Sequence, residues 1–489
     1  FTGGSKTSTY AISGGYTGQD GLIGGSDVSY YKRYNFRVNS EHKMWNGLVT
    51  VGEHVGFVWK DTRGMGTGNI WNNNLRSAFS ASPIIPVYDA DGNYNSTVNS
   101  DWNVNDGNPY GNMMVNRYNN SKNGSLDANV YVQIEPIKNL RFKTVYGISY
   151  GASEYRAYTP KYQFTPQTAN TVSKVNQSHG HGLSMVWTNT LSYDFNIATE
   201  HHINALIGSE LSTYDGSNTE GSNTGLIPGF DDWDHAYLVN TNGTENKTVK
   251  GSPYDSTRGM SYFARLGWTW KERYMVNATM RADGSSKFAK GNRWGYFPSV
   301  SAGWTISEEK FMGWSEGWLD NFKIRLSAGS MGNGNIDPYK YIDYMTLKSS
   351  TVVIGNALGT YTVAPGAIPL SLTWETSTTY DVGADLDLFK NRLTMGFDWY
   401  RRYTTDMYTV GVSLPAVYGT AAPKGNNASL KTNGWELSVG WRDSFRLAGK
   451  EFRYGVKAMV WDSRTWVTKY INPTGNLDDY YEGMELGEI

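Results

Sequence analysis

The sequence predicts an all-β fold, a transmembrane antiparallel β-barrel, from its composition, a two-residue hydrophobic rhythm, and connections that alternate between short and long. The 489 residues include 55 Gly, 35 Tyr, 18 Trp and 17 Phe, with 15 Pro and no Cys, a mixture that favours many strands and turns over helices. Aromatic residues make up 14% of the chain, yet its mean hydropathy is below zero. Large rings are therefore scattered through polar text. No uninterrupted apolar run nears the ~18 residues of a membrane-spanning helix. A barrel strand needs only about 9–11 residues, half of them facing a wet interior, so its hydropathy is diluted towards neutral.

The period-2 rhythm runs from end to end. Tyr34, Phe36 and Val38 share one face, with Arg33, Asn35 and Arg37 on the other. Ala128, Val130, Val132 and Ile134 alternate with Asn129, Tyr131 and Gln133. Tyr274, Val276, Ala278 and Met280 oppose Met275, Asn277, Thr279 and Arg281, and Tyr380, Val382, Ala384, Leu386 and Leu388 oppose Asp381, Gly383, Asp385 and Asp387. Strands are expected at about 9–17, 30–39, 48–59, 126–134, 140–150, 182–194, 202–212, 258–270, 274–282, 295–306, 322–330, 376–389, 393–403, 432–442 and 451–461, roughly fifteen in all. One strand breaks the pattern: Glu53 interrupts the apolar face of Val49, Val51, Val55, Phe57 and Trp59, which calls for a bulge or a covering partner.

A soluble sandwich shares the alternation, so the connections decide. Short ones, such as Glu135 to Asn139, Lys271-Glu272-Arg273 and Phe389 to Arg392, alternate with long ones near 60–125, 151–181, 213–257, 331–375 and 404–431. Periplasmic turns and extracellular loops of an outer-membrane barrel differ in this way. Residues 1–489 are accordingly read as part of one barrel, with no interdomain linker. Within the first long loop, Ile70, Leu75 and Phe79 share one side of a short helix that Pro83 ends. Aromatic residues near strand ends, namely Trp59, Tyr150, Tyr193, Trp268, Trp270, Tyr274, Trp399, Tyr400, Tyr403, Trp435 and Trp441, suit two interfacial girdles.

Charge and chemistry exclude several functions. A formal net charge of -1 leaves no electrostatic footprint for nucleic acid, and the lack of cysteine rules out disulfides and thiolate metal sites. Phe1-Thr2-Gly3-Gly4 has neither the basic nor the apolar region of a signal peptide, so a removed signal or an incomplete product is expected. Asp231-Asp232-Trp233-Asp234-His235 holds two carboxylates and an aromatic, the ingredients of glycoside cleavage. Its place in a long loop favours contact with a ligand or plain loop polarity, and Asp231, Trp233 and Tyr237 are the candidate substrate contacts. Asp89-Ala90-Asp91-Gly92-Asn93 opens like a calcium loop, but Ser100 stands where its bidentate Glu belongs, so an Asp-Gly turn is the better reading. His179 and His181 share a face without a third ligand nearby, and Gly64-Met65-Gly66-Thr67-Gly68 lacks the setting of a dinucleotide fingerprint. No catalytic residue, metal or cofactor is assigned. Arg33, Arg37, Arg141, Arg265, Arg281 and Arg325 recur on the polar face. They are expected to face the lumen, because Arg at the lipid midplane costs about 2–4 kcal/mol, and to form salt bridges there or meet a plug.

Longer phrases carry a family resemblance. Arg281-Ala282-Asp283-Gly284-Ser285-Ser286-Lys287-Phe288 continues through Asn292-Arg293-Trp294-Gly295-Tyr296-Phe297-Pro298-Ser299 to Ser301-Ala302-Gly303-Trp304 and Ser307-Glu308-Glu309-Lys310-Phe311. With Tyr34-Asn35-Phe36-Arg37, Pro86-Val87-Tyr88-Asp89, Leu372-Thr373-Trp374-Glu375-Thr376 and Asn433-Gly434-Trp435-Glu436-Leu437, the chain resembles SusC/RagA-type TonB-linked transporters of the Gram-negative outer membrane. The resemblance implies a 22-stranded barrel with an N-terminal plug, no enzymatic activity, and TonB-driven import of an oligosaccharide or peptide. It also implies a SusD-like surface lipoprotein as partner and outer-membrane lipid around the wall. No stretch of this chain reads as the plug or the TonB box. A soluble, secreted carbohydrate-binding or carbohydrate-cleaving β protein is the alternative, and it requires the apolar faces to pack on each other.

Overall fold

A computed structural model describes the chain except residues 66–73, 102–103, 105–106, 245–246, 253–255, 343–344, 355–356, 364–367, 369–370, 412–416, 418–423, 473–479 and 488–489. It divides into two units, one comprising Phe1–Gln133, Val145–Trp187 and Thr213–Ser256, the other Ile134–Thr144, Thr188–Ser212 and Thr257–Ile489.

The first unit opens with β1 (Thr2–Gly4), β2 (Ser8–Asp20), β3 (Tyr30–Met44) and β4 (Val49–Arg63), an antiparallel meander in continuous register. Tyr16 lies opposite Tyr34 and Phe36 opposite Phe57, so the apolar residues share one face. The tight turn from β3 to β4 places Trp45 and Asn46 in the left-handed region, at φ 50 and 56. After the first long connection come β5 (Asn119–Ile137) and β6 (Leu140–Thr159), then the small ladder of β7 (Tyr162–Gln163) and β8 (Ala169–Asn170). Next are β9 (Lys174–Ile197), β10 (His201–Thr224) and β11 (Thr248–Gly251). The helix in the first long loop covers Asn74–Ser80 and contains Leu75 and Phe79; Ile70 lies outside the described residues, as does most of the Gly64–Gly68 stretch.

The second unit is an up-and-down meander of β12 (Thr257–Trp270), β13 (Tyr274–Ser285), β14 (Trp294–Thr305) and β15 (Leu319–Asn333). The separate ladder of β16 (Thr346–Ile354) and β17 (Ala357–Val363) follows. The meander resumes with β18 (Glu375–Leu388), β19 (Leu393–Val410), β20 (Lys424–Leu447) and β21 (Lys450–Lys469). Its register shows how the two faces arise. Val276, Ala302, Leu326, Val382, Trp399 and Trp435 form one cross-strand row, and one residue along, Asn277, Ser301, Ser327, Asp381, Tyr400 and Gly434 form the next. Successive residues point to opposite faces, so the first row is wholly apolar and the second wholly polar, aromatic hydroxyl or glycine.

The apolar face does not pack on another layer. Leu266 is 54% exposed, Leu326 50%, Tyr296 62% and Val456 67%. A sandwich would hide these side chains; here they form a greasy exterior. Tyr400 belongs to the polar row and leans over Gly434, where a Cβ would lie 2.4 Å from its ring. It therefore lies on the polar face and drops out of the expected girdle. Trp270, Tyr274 and Trp304 do form a stacked series at the short-turn end, with ring centroids 5.4 and 6.3 Å apart.

Strands also run further than the apolar rhythm marks. β9, β10 and β20 each have 24 residues, well beyond the ~11 needed to cross a bilayer. Between the main strands, the long connections are 64–118, 160–173, 225–256, 334–374 and 411–423. They alternate with short ones such as 138–139, 198–200, 271–273, 389–392 and 448–449. Glu53 needs no bulge, since the register of β3 and β4 is unbroken around it. Its carboxylate accepts a hydrogen bond from Ser40 Oγ, which lies 2.8 Å from His42 Nε2, and His42 Nδ1 is 3.0 Å from Ser8 Oγ. This polar chain sits towards the short-turn end, past the apolar residues Val38 and Val55.

Candidate functional site

The polar face of the wall is the first element of the site. Arg325 on β15 makes two bonds to Asp385, at 2.8 and 3.1 Å, and reaches Asp398 at 2.9 Å. Its neighbours across the ladder are Gly303 and Gly383. A Cβ at Gly383 would lie 2.3 Å from Asp398 Oδ1 and 2.8 Å from Arg325 Cζ, so glycine makes room for the ion triad. Arg281 bonds Asp283 at 2.7 Å and Glu210 at 3.2 Å, and Arg141 bonds Asp194 at 3.1 Å and faces Glu135 at 3.5 Å. Arg265 approaches Asn277 Oδ1 at 3.5 Å. These arginines thus tie strands together across the polar face, some to an adjacent strand and Arg281 and Arg325 also to one two strands away, where such ion pairs mainly fix geometry.

Arg33 and Arg37 differ. With His54, Asn39, Asn129 and Asp127 they line a polar hollow of about 220 Å³. Arg33 lies directly opposite Lys60, a like-charge pairing that costs stability. The Nε of Arg33 is buried with no hydrogen-bond partner among the described residues.

The long-loop end of the first unit holds the second element. Trp233 and Tyr237 come together there around Arg156 of β6, whose guanidinium lies 3.9 Å from the Trp233 ring and 4.2 Å from that of Tyr237. Tyr118 stacks on Trp233 at 6.1 Å. Beneath them Tyr158, Val175, Leu226 and Ala236 form a buried cluster. Trp233 therefore pins the loop to the strand ends, while Tyr237, with Arg156 over its ring, stays 42% exposed. Neither Arg156 nor Tyr118 has a sequence signal that marks it, because their role comes from a loop folding back across 77 residues of chain. Asp231 accepts a bond from the Tyr158 hydroxyl at 3.2 Å and faces Lys161 at 3.8 Å. Asp232 sits 2.9 Å from His235 Nδ1, and this bond with the His235 backbone N–H holds its carboxyl below the usual carboxylate range. A glycosidase acid needs the opposite shift.

Other motifs resolve locally. Asp89 Oδ1 accepts the backbone N–H groups of Asp91 and Asn93 at 3.0 and 2.8 Å, so the carboxylate closes an Asx turn. His181 lies by Ser217 at 3.3 Å and by the Tyr150 ring. Among the described residues no group of three His, Asp or Glu is placed to hold a metal ion.

The phrase around Phe288 builds a knot at the long-loop end of the second unit. Phe288 is 0% exposed and packs with Ile336 and Leu372, which come from a different connection. Trp374 lies against Phe288 at 5.1 Å and Phe297 at 5.7 Å, and its Nε1 donates to Arg293 O at 3.0 Å. Gly332 opposes this stack, since a Cβ there would lie 2.0 Å from Phe297 Cζ. At the short-turn end, Glu309 accepts hydrogen bonds from the Tyr274 hydroxyl and from Trp304 Nε1, the latter at 3.1 Å, with Arg273 at 3.6 Å. The family phrase is thus a set of structural anchors at both rims.

Residues 60–483 match the family described as TonB dependent receptor-like, beta-barrel. TonB-dependent receptor P26 of Formosa agariphila is 28% identical over 452 residues, covering 90% of this chain and 42% of that protein. TonB-dependent receptor SusC of Bacteroides thetaiotaomicron is 26% identical over 517 residues, covering 99% of this chain and 48% of SusC. The chain thus spans about half the length of these relatives. The RagAB peptide transporter superposes with a TM-score of 0.79 at 23% identity, over 97% of this chain and 52% of that one. With one apolar face, one charged face and alternating connections, the chain belongs to the TonB-dependent receptor-like β-barrel family of the Gram-negative outer membrane.

Proposed function

We propose that the chain serves TonB-driven import of an oligomeric nutrient across the outer membrane, an oligosaccharide or a peptide, together with a SusD-like surface lipoprotein. The observation that carries this reading is the division of each strand between an exposed apolar row and an ion-paired polar row, which suits a wall with hydrocarbon on one side and water on the other. The likeness to SusC and to RagAB, whose structure is described as a peptide transporter, supports the class of cargo and the lipoprotein partner. In this reading Tyr237 offers a ring for stacking and Asp231 a carboxylate to a passing oligomer, with Trp233 holding the loop that carries them. Arg33, Arg37, Arg141, Arg265, Arg281 and Arg325 face the lumen. The protein does no chemistry on its cargo: the adjacent carboxylates of Asp231 and Asp232 are engaged by Lys161, Tyr158 and His235.

Deletion of the gene tests the proposal. Parent, deletion and TonB-deficient strains are grown on mixed glycan oligomers or mixed peptides, and depletion of each oligomer is followed by mass spectrometry. One class should persist in both mutant cultures and vanish from the parent. Equal depletion in all three refutes import. Affinity purification from the outer membrane should bring down a lipoprotein in near-equal amount, and its absence removes the partner.

A further inference from the structure

The arginines of the polar face fall into two groups. In the second unit Arg141, Arg281 and Arg325 are each held by carboxylates. In the first unit Arg33 and Arg37 of β3 share one face about 13 Å apart along the strand, and Lys60 of β4 lies directly opposite Arg33. Among the described residues none of these three side chains has an ion pair or a hydrogen bond. Asp127, the carboxylate that lines their hollow, already accepts a bond from Ser149 Oγ at 2.6 Å. Three cations thus crowd one engaged carboxylate, in a chain whose formal net charge is -1. Like charges facing each other across a ladder destabilise it, and so does the buried Nε of Arg33 without an acceptor. Nothing among the described residues offsets this, whereas an arriving anion does.

The position of the group points to cargo. Arg33 is three residues from the long-loop end of β3, and Lys60 is three from that of β4. β4 ends in Arg63, whose guanidinium lies 5.8 Å from the Trp233 ring. Cations therefore continue from the loop that carries Trp233 and Tyr237 down the strands to Arg37, and a surface of one sign draws in ligands of the other. Asn35 and Asn129 line the hollow between them, and amides both donate to and accept from hydroxyl groups. A guanidinium fork matches a carboxylate through two parallel bonds. Carboxylates spaced along a chain of hydroxylated rings make an acidic oligosaccharide, and the exposed ring of Tyr237 offers such a sugar a face to stack on.

We propose that this hollow is a subsite for an oligosaccharide containing uronic acid units. One carboxylate binds Arg33 and Lys60, a second further along the oligomer binds Arg37, and ring hydroxyls meet Asn35 and Asn129. The proposal rests on the import reading and narrows its cargo to an acidic sugar.

The full-length gene, as parent or as the double variant Arg33→Gln with Arg37→Gln, is returned to the deletion strain. Each strain is fed neutral oligosaccharides, peptides, and uronic acid oligomers cut from plant, algal and animal polysaccharides. A second feed holds the same acidic oligomers with their carboxyl groups reduced to alcohols. Mass spectrometry follows every species. The parent should deplete a carboxylate-bearing sugar and spare its reduced form. At limiting concentration the double variant should deplete it at least about tenfold more slowly, since one charge-assisted contact is worth about that factor in affinity. Purified without cargo, the double variant should unfold no more easily than the parent, because the like-charge pair is relieved. Undiminished uptake by the variant, equal depletion of the reduced sugars, or depletion of only neutral sugars or peptides would each overturn the proposal. So would a less stable variant, which would assign the arginines to a contact within the protein. Depletion of only a neutral sugar or a peptide leaves import standing, whereas a parent that depletes nothing sinks import itself, so the two failures are separable.

Discussion

Leu326 and Ser327 are neighbours in β15 that face opposite ways, and placing an arginine at each distinguishes a lipid-facing wall from a water-facing one. Leu326 sits mid-strand between Ala302 and Val382, and Ser327 between Ser301 and Asp381. Leu326 is 50% exposed, so in a water-soluble protein Leu326→Arg would be close to neutral, as exposed substitutions are, within about 0.5 kcal/mol. On a lipid face near the midplane the same arginine costs about 2–4 kcal/mol, a roughly 30-fold to several-hundred-fold loss in the folded-to-unfolded ratio. Ser327→Arg should stay within about 0.5 kcal/mol, because its side chain meets water and the carboxylate of Asp381. The assay is urea-driven unfolding of the full-length protein in lipid vesicles, followed by heat-modifiable migration and tryptophan emission. A neutral Leu326→Arg, or a Ser327→Arg as damaging as Leu326→Arg, would refute the assignment of faces.

Other expectations follow from the anchors. Phe288→Ala should cost about 3–5 kcal/mol locally, read as faster hydrogen exchange in 286–293 and 334–342 with β14 and β15 still protected. Trp233→Ala removes the plate between Tyr118 and Arg156, so limited proteolysis should cut within 225–243 while the strands survive. The Tyr274 hydroxyl, the Trp304 indole and Arg273 hold the Glu309 carboxyl below its ordinary 4.5. A depressed carboxylate stabilises the fold above its unfolded pKa and loses that contribution as pH falls through the folded one. Tryptophan emission should therefore be flat down to about pH 4.5 and shift below it, and Glu309→Gln should abolish the acid step.

Much of this architecture is legible in the sequence because one physical rule writes it: where a strand touches lipid on one side and water on the other, every second residue is apolar. Tyr34, Phe36 and Val38, and later Val382, Ala384 and Leu386, show that rule, and the structure places them on one face. Where a strand runs on among loops beyond the apolar band, the rule has nothing to select. The stretch from Lys174 to His181 and the one from Tyr214 to Thr224 belong to β9 and β10 but read as Asn, Ser, Gly and Thr, so they pass for loop. Tyr400 shows a different limit, since an aromatic ring near a strand end suits either a membrane interface or the space above a glycine, and only Gly434 across the ladder decides. The site was legible in part. Trp233 and Tyr237 stand out by type, whereas Arg156 is ordinary until the chain returns to it.

The length of β9 and β10 changes what the outer end of the protein is made of. Some 13 residues of each are surplus to a bilayer crossing, about 40 Å of strand stiffened by its own hydrogen-bond ladder. Pairing along its whole length holds the far end of this hairpin in place from the strand beneath it, where an irregular loop of the same length would not be held. Substitutions that unpair this extension should therefore release its far end as a unit rather than loosen any single contact within it.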